Sequence, residues 1–201
     1  MIRIGLTGGI GSGKSTIGRI FSALGIPLYE ADKRAKELNE SDIRIKNGLI
    51  ALLGNEVYMP DGHLNKPYMA SQIFTDKALL SQVNALIHPI VFEDFDNWCE
   101  QQQSNNADIV VCEAAVMVEN GFHSIMDKII VVTLDRETRI KRTMLRDKSS
   151  YEQVESRINN QLSDDEMLKV ADFTITPDDH QPVLQNIINI INSLRNKQTK
   201  S

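Results

Sequence analysis

Eight residues near the start of the chain restrict its fold more than any others. Gly8-Gly9-Ile10-Gly11-Ser12-Gly13-Lys14-Ser15 fits the pattern G-x-x-x-x-G-K-[ST] at every fixed position. The flanks matter as much as the letters. Ile2, Ile4 and Leu6 predict a short strand that stops at Thr7-Gly8-Gly9. Ile17, Ile20, Phe21 and Leu24 then recur at the spacing of an amphipathic helix over Lys14 to Leu24, with Gly25 as its terminator. A glycine-rich loop between a strand and a helix is an anion cradle. Glycines let successive backbone N–H groups curl around a phosphate without Cβ clashes. The helix N-terminus adds further N–H groups and a partial positive charge. Lys14 brings a full charge to the β- and γ-phosphates, and the Ser15 hydroxyl is a ligand for Mg²⁺. The expected ligand is a nucleoside triphosphate.

The rest of the chain reads as alternating strands and helices. Ile26 to Tyr29 predicts a second strand, with Pro27 placing it at a sheet edge. Asp108–Glu113 and Lys128–Leu134 are continuous β-branched runs of the kind that parallel strands show when both faces are covered. Phe173 to Thr176 makes a fifth strand, whereas residues from about 32 to 105 look helical and polar with no strand. Asp135 caps a helix to about Arg146, and Ser149-x-x-Glu152 and Ser163-x-x-Glu166 both read as capping boxes. Pro182 opens a last helix with Val183, Leu184, Ile187, Ile188, Ile191 and Leu194 on one face, ahead of a frayed tail from Asn196 to Ser201. Strands separated by helices imply right-handed crossovers and a parallel sheet covered on both sides. Ligands of such sheets bind at the carboxyl ends of the strands.

Composition narrows the class. With 201 residues, 41% hydrophobic and 24% charged, the chain is expected to be one ordinary globular domain. A net charge of −5 argues against a dedicated nucleic-acid binder. Cys99 and Cys112 are too few for a disulfide framework or a four-ligand zinc site, and Cys112, inside an apolar run, reads as core. Met1-Ile2-Arg3-Ile4 leads into glycines without the pattern of a signal peptide, and the longest aliphatic run, Ile129 to Val132, is far short of a membrane span. A cytoplasmic protein is expected.

A guanine-specific switch would carry N-K-x-D after a strand; Asn65-Lys66-Pro67-Tyr68 lacks the aspartate and follows no strand. A motor ATPase would carry an apolar strand ending in Asp, which only Glu113 approximates. A small chain with the loop at its beginning fits a small-molecule kinase better. Such a kinase needs a group that orients the acceptor hydroxyl and receives its proton. Asp32, just after the second strand, suits that task, with Glu30 as the alternative; Asp32 would equally cap a helix starting near Lys33. Arg136, Arg139, Lys141, Arg142, Arg146 and Lys148 make one basic helix, on which Arg142 and Arg146 share a face. That pair could clamp phosphates or stack on a base, or simply face solvent. His88, before Pro89, is biased away from helical geometry and is either structural or a substrate contact.

Together these features resemble the dephospho-coenzyme A kinase family over essentially the whole chain. The residues that carry the resemblance are Leu6 through Thr16, Ala31-Asp32, Leu86-Ile87-His88-Pro89, Glu119-Asn120, Lys141 through Asp147, and Arg157 with Gln161. It implies ATP-dependent phosphorylation of the ribose 3′-hydroxyl of dephospho-CoA, the last step of coenzyme A synthesis, with ATP as co-substrate and Mg²⁺ as cofactor. The implied fold is α/β, a P-loop NTPase of nucleoside-monophosphate-kinase type with a five-stranded parallel sheet flanked by helices. Its core would span about 1–31, 106–141 and 165–201, its helical substrate-binding insertion about 32–105, and its mobile helical lid about 142–164. Gly11, Ser12, Gly13, Lys14, Ser15 and Thr16 match the ATP loop, with Ser15 on the metal. Asp32 matches the catalytic base beside the acceptor, and Arg142 and Arg146 match lid arginines that contact ATP. Lys14, Asp32 and Arg146 are thus the implied catalytic residues, and His88 gains a place in the acceptor site. ATP and dephospho-CoA would be the partners, without nucleic acid or membrane; oligomeric state is left open. Three segments depart from the family pattern. Glu30 replaces an aspartate, Glu113-Ala114-Ala115-Val116-Met117 replaces Asp-x-Pro-Leu-Leu, and Thr176-Pro177-Asp178-Asp179 replaces an Asn- and Gly-bearing turn. A nucleotide-gated regulatory switch, or a kinase for another small acceptor, is the competing reading.

Overall fold

The computed structural model describes residues 1–74, 76–177 and 182–198. They fall into two compact units, residues 1–30 with 102–201, and residues 31–101.

The first unit holds five parallel strands: β1 (Ile2–Thr7), β2 (Leu28–Glu30), β3 (Ile109–Glu113), β4 (Lys128–Val132) and β5 (Phe173–Ile175). Their order across the sheet is β2-β3-β1-β4-β5. β1 is central, and the strand order reverses beside it, so the chain leaving its carboxyl end emerges where doubly wound sheets bind ligands. Leu6 stands opposite both Glu113 and Ile130, which brings the tips of β3 and β4 level with the end of β1. Ile4, Leu6, Val111, Ile130, Val132 and Ile175 pack in one cluster with α1 (Lys14–Ala23) through Ile17 and Phe21. Ile187, Ile191 and Leu194 of the last helix join the same cluster, each buried large side chain being worth about 1.5–3 kcal/mol. Every residue of β3 is buried, Cys112 included, as its unbroken apolar run requires.

Several boundaries differ from the sequence reading, each for a local reason. β2 begins at Leu28, not Ile26, because Pro27 offers the sheet only its carbonyl, which accepts the Val111 N–H at 2.9 Å. As expected of a strand holding a proline, β2 lies at the edge. Leu184, expected on the buried face of the last helix, is 50% exposed. That helix continues to Gln198, so Asn196 is helical rather than frayed; residues 199–201, with Asp178 and Asp179, lie outside the described residues.

The second unit is helical: α2 (Ala31–Ser41), α3 (Ile43–Leu53), α4 (Lys66–Ile73) and α5 (Lys77–Ser104), the last running slightly past its end. Among its described residues the only β interaction is an isolated bridge between Tyr58 and Leu64. Ile45, Leu49, Leu53, Val57 and Val83 form its buried side. Arg34 on α2 grips Asp94 on α5 with two hydrogen bonds of 2.8 Å. Pro89 does not break α5, and His88 is helical, against the expectation. Ile87, Ile90, Val91 and Phe95 are buried around the proline, and their packing outweighs the lost backbone hydrogen bond.

In the first unit, α6 (Arg136–Asp147), α7 (Tyr151–Asn159) and α8 (Asp164–Leu168) follow β4. Asp135 caps α6 by accepting the Thr138 N–H at 2.9 Å. The capping box expected at Ser149 and Glu152 sits one residue on, at Ser150 and Gln153. Lys148 ends α6 in the left-handed conformation with φ 52°, and that extra residue shifts the next helix start to Tyr151. The second box, Ser163 with Glu166, forms where expected.

Candidate active site

The loop after β1 is shaped by what lies beneath it. At Gly11, φ is +79°, and a Cβ there would come within 2.5 Å of the Arg139 carbonyl oxygen and 2.6 Å of Thr143 Oγ1. Only glycine permits that close approach of loop and α6. Gly13 sits at the N-cap of α1 without a side-chain cap, leaving the first helical turn to whatever binds the loop.

Over the loop lies a pocket of about 550 Å³, lined by Gly9, residues 11–16, Arg19, Arg142, Arg146 and Pro177. That volume suits a nucleotide-sized ligand. The lining carries Lys14 and three arginines and no carboxylate, so the pocket selects an anion. Gly11 through Thr16, matched above to the ATP loop, are all here, and so are both named arginines. Arg142 lies beside the loop, with Nη1 3.8 Å and Pro177 Cγ 3.5 Å from where a Cβ on Gly13 would stand. Arg146 is held by its neighbour Asp147, Nε to Oδ1 at 2.7 Å, and Arg157 bonds the same carboxylate at 2.8 Å. The two guanidiniums, Arg146 first, hold the Asp147 carboxyl far below the usual range.

Two residues that the sequence did not single out as site residues join this group. Arg19, five residues after Lys14, reaches back along α1 to the Ser15 carbonyl at 3.3 Å and to Thr16 Oγ1 at 3.4 Å. Glu113, at the tip of β3 and 8% exposed, accepts a 2.6 Å hydrogen bond from the Ser15 hydroxyl. Its signal was present as an apolar strand ending in a carboxylate. Glu30 ends β2 directly beside it in register.

Asp32 and His88 belong to the second unit. α2 starts at Ala31, so Asp32 occupies the first helical turn and does not cap a helix at Lys33; its carboxylate, exposed, favours that end of the helix dipole. His88 is half-buried on α5, and burial pushes its imidazole below the ordinary value.

The profile of the dephospho-CoA kinase family matches residues 2–182. The chain belongs to the dephospho-CoA kinase family. Similar relatives are the dephospho-CoA kinases of Bacteroides fragilis, 38% identical over 98% of this chain and 94% of the relative, and of Porphyromonas gingivalis, 38% identical over 98% and 96%. Among solved structures, a Campylobacter jejuni dephospho-CoA kinase shares the fold with a TM-score of 0.71 at 22% identity, each chain covered to 98%. This family is one of transferases, which sets aside the regulatory switch. Among the described residues no helix is long and apolar enough to cross a membrane.

For a dephospho-CoA kinase family member the loop lysine is the sharpest single test. Lys14→Ala should reduce turnover by about 10²–10³-fold, because contacts to developing charge are worth roughly 3 kcal/mol. The thermal unfolding midpoint should stay near that of the parent. A folded variant with near-normal turnover would remove Lys14 from the site.

Proposed function

We propose that this chain transfers the γ-phosphoryl group of ATP to the ribose 3′-hydroxyl of dephospho-CoA, releasing ADP and coenzyme A in the last step of coenzyme A synthesis. The observation that carries the reading is the family match along residues 2–182, joined to a cationic pocket built on a complete phosphate loop. The 3′-oxygen attacks the γ-phosphorus, the bond to the β,γ-bridging oxygen breaks, and the hydroxyl proton passes to a carboxylate. Asp32 takes that proton, with Glu30 as the competing base. The loop from Gly11 to Thr16 holds the β- and γ-phosphates, and Lys14 and Arg146 offset the charge that develops on them. Arg142 stacks on the adenine.

The donors available for a magnesium ion are the Ser15 hydroxyl and the Glu113 carboxylate, 2.6 Å apart. Both are hard oxygen ligands of the kind Mg²⁺ takes alongside phosphate and water. Ser15 and Glu113 would hold such an ion, and its charge would offset that of the phosphates.

Residues 142–164 form the lid of this reading. Val154 and Ile158 of α7 pack with Ile140 and Met144 of α6 and with Ile10 of the phosphate loop, which gives the segment an apolar root. Closure over ATP excludes water, so the phosphoryl group reaches the acceptor and not solvent. His88 is the acceptor contact of this reading.

Coupled measurement of ADP release should show turnover that requires dephospho-CoA; equal release without acceptor would defeat the reading. Asp32→Asn should lower kcat by about 10²–10⁴-fold while leaving ATP affinity nearly intact. A larger loss in Glu30→Gln moves the base to Glu30. Glu113→Gln should raise the half-saturating Mg²⁺ concentration by about tenfold or more. An unchanged magnesium titration would separate Glu113 from the ion. Hydrogen exchange across residues 142–164 should slow when an ATP analogue and dephospho-CoA bind together. Equal exchange with and without them, combined with unaltered kinetics in Arg142→Ala and Arg146→Ala, would make the segment an ordinary surface helix pair.

A further inference from the structure

The most buried charge on α6 belongs to neither arginine of the ATP pocket's far wall. Arg139 is 4% exposed, and its guanidinium lies under the phosphate loop. A Cβ on Gly9 would meet its Cζ and both terminal nitrogens at 2.7–2.8 Å, so the loop lies directly on the guanidinium plane. Nη1 donates to Asp164 Oδ1 at 2.6 Å, while the buried Nε has no partner. Three residues before Asp164, the Gln161 side chain accepts the Ile10 N–H at 2.9 Å. Gly9, Ile10 and Gly11 are therefore gripped from two sides. One side is α6, through Arg139 and Thr143; the other is the segment after α7, through Gln161, while Asp164 acts on the loop by way of Arg139.

We propose that Arg139 is a positioning residue for phosphoryl transfer, its Asp164-paired guanidinium fixing the phosphate loop at Gly9 and tying it to the carboxyl end of the lid. The inference rests on the reading of the loop as the ATP site. A loop whose N–H groups must point at phosphate gains most from being fixed before the ligand arrives, since ordering it afterwards subtracts from affinity. Arg139 does this without touching ligand. Its charge makes the arrangement depend on Asp164: neutralising that carboxylate leaves a buried cation uncompensated beneath the loop.

The test uses the full chain with Asp164→Asn, Arg139→Lys and Arg139→Gln. The probes are calorimetric binding of ADP with Mg²⁺, the Michaelis constants for both substrates, and hydrogen exchange. Asp164→Asn keeps the side-chain shape at a residue that is 40% exposed, so it folds even if the buried Arg139 variants do not. It should weaken ADP binding and raise the ATP KM by about five- to tenfold, with the acceptor KM changed less than twofold. Exchange of residues 7–14 should quicken while residues 109–113 stay protected. Arg139→Lys should recover more of the ADP affinity than Arg139→Gln. ADP affinity and loop exchange within twofold of the parent in Asp164→Asn would overturn the proposal. So would variants that lower only the unfolding temperature. ADP binding and exchange need no acceptor, so a parent protein inert toward dephospho-CoA would defeat the functional reading while these two measurements still decide on Arg139.

Discussion

A phosphate loop must present backbone N–H groups outward, unpaired with the rest of the protein, and still not move. That conflict is settled here by where β1 ends and by what α6 places under the loop. β1 is the central strand, flanked by β3 and β4 in register to its last residues, so the loop leaves from the most fixed point of the sheet. Beneath it the Arg139 carbonyl and the Thr143 hydroxyl approach Gly11 so closely that a methyl group would not fit. The glycines therefore serve two purposes. They free the N–H groups for phosphate, and they let a helix come near enough to hold the loop.

How much of this was legible follows from how local each signal was. The loop could be read letter by letter, because its chemistry is set by the identity of adjacent residues. The strands β3 and β4 could be read because burial on both faces leaves an unbroken apolar run. β2 was displaced by two residues because an edge strand has no such run, and the Val111 N–H bonded to Pro27 sets where it begins. The misplaced capping box has the same origin. Ser149 and Ser150 are adjacent and each precedes a Glu or Gln by three, so only the left-handed turn at Lys148 decides between them. Pro89 misled in another way: the rule it invokes is a local cost, and the buried side chains around it in α5 outweigh that cost. Glu113 was missed as a site residue because its partner is a neighbour across space. Glu113 has meaning only once β3 is known to end beside Ser15.

α6 shows most clearly what periodicity leaves undecided. Its arginines at 136, 139, 142 and 146 look alike in sequence. Once the helix is placed, they divide by face. Arg136 bonds Glu155 and Asn159 on α7, Arg139 goes under the loop, and Arg142 and Arg146 line the cationic pocket over the loop. The expectation that Arg142 and Arg146 share a face agrees with their place in one pocket. It did not separate a buried brace from a solvent-facing clamp, since spacing assigns residues to faces but not faces to neighbours.

The division also sorts the arginines by how readily each can change partner. Arg146 is paired with Asp147 at the surface, its side chain 60% exposed, in competition with Arg157 for the same carboxylate. Exposed pairs contribute about 0–1 kcal/mol, so little opposes turning this guanidinium toward a triphosphate. Were it to turn, Asp147 would keep Arg157, and the exchange would leave no charge uncompensated. Arg139 is the opposite case. Its side chain is 5% exposed with one ion-pair partner among the described residues, and releasing it would leave a cation buried against Gly9. A cation left unpaired in a buried place costs more than one left unpaired at the surface. One helix thus carries an exposed, doubly contested charge on its last turn and a buried one beneath the loop. Burial, not sequence, decides which is which.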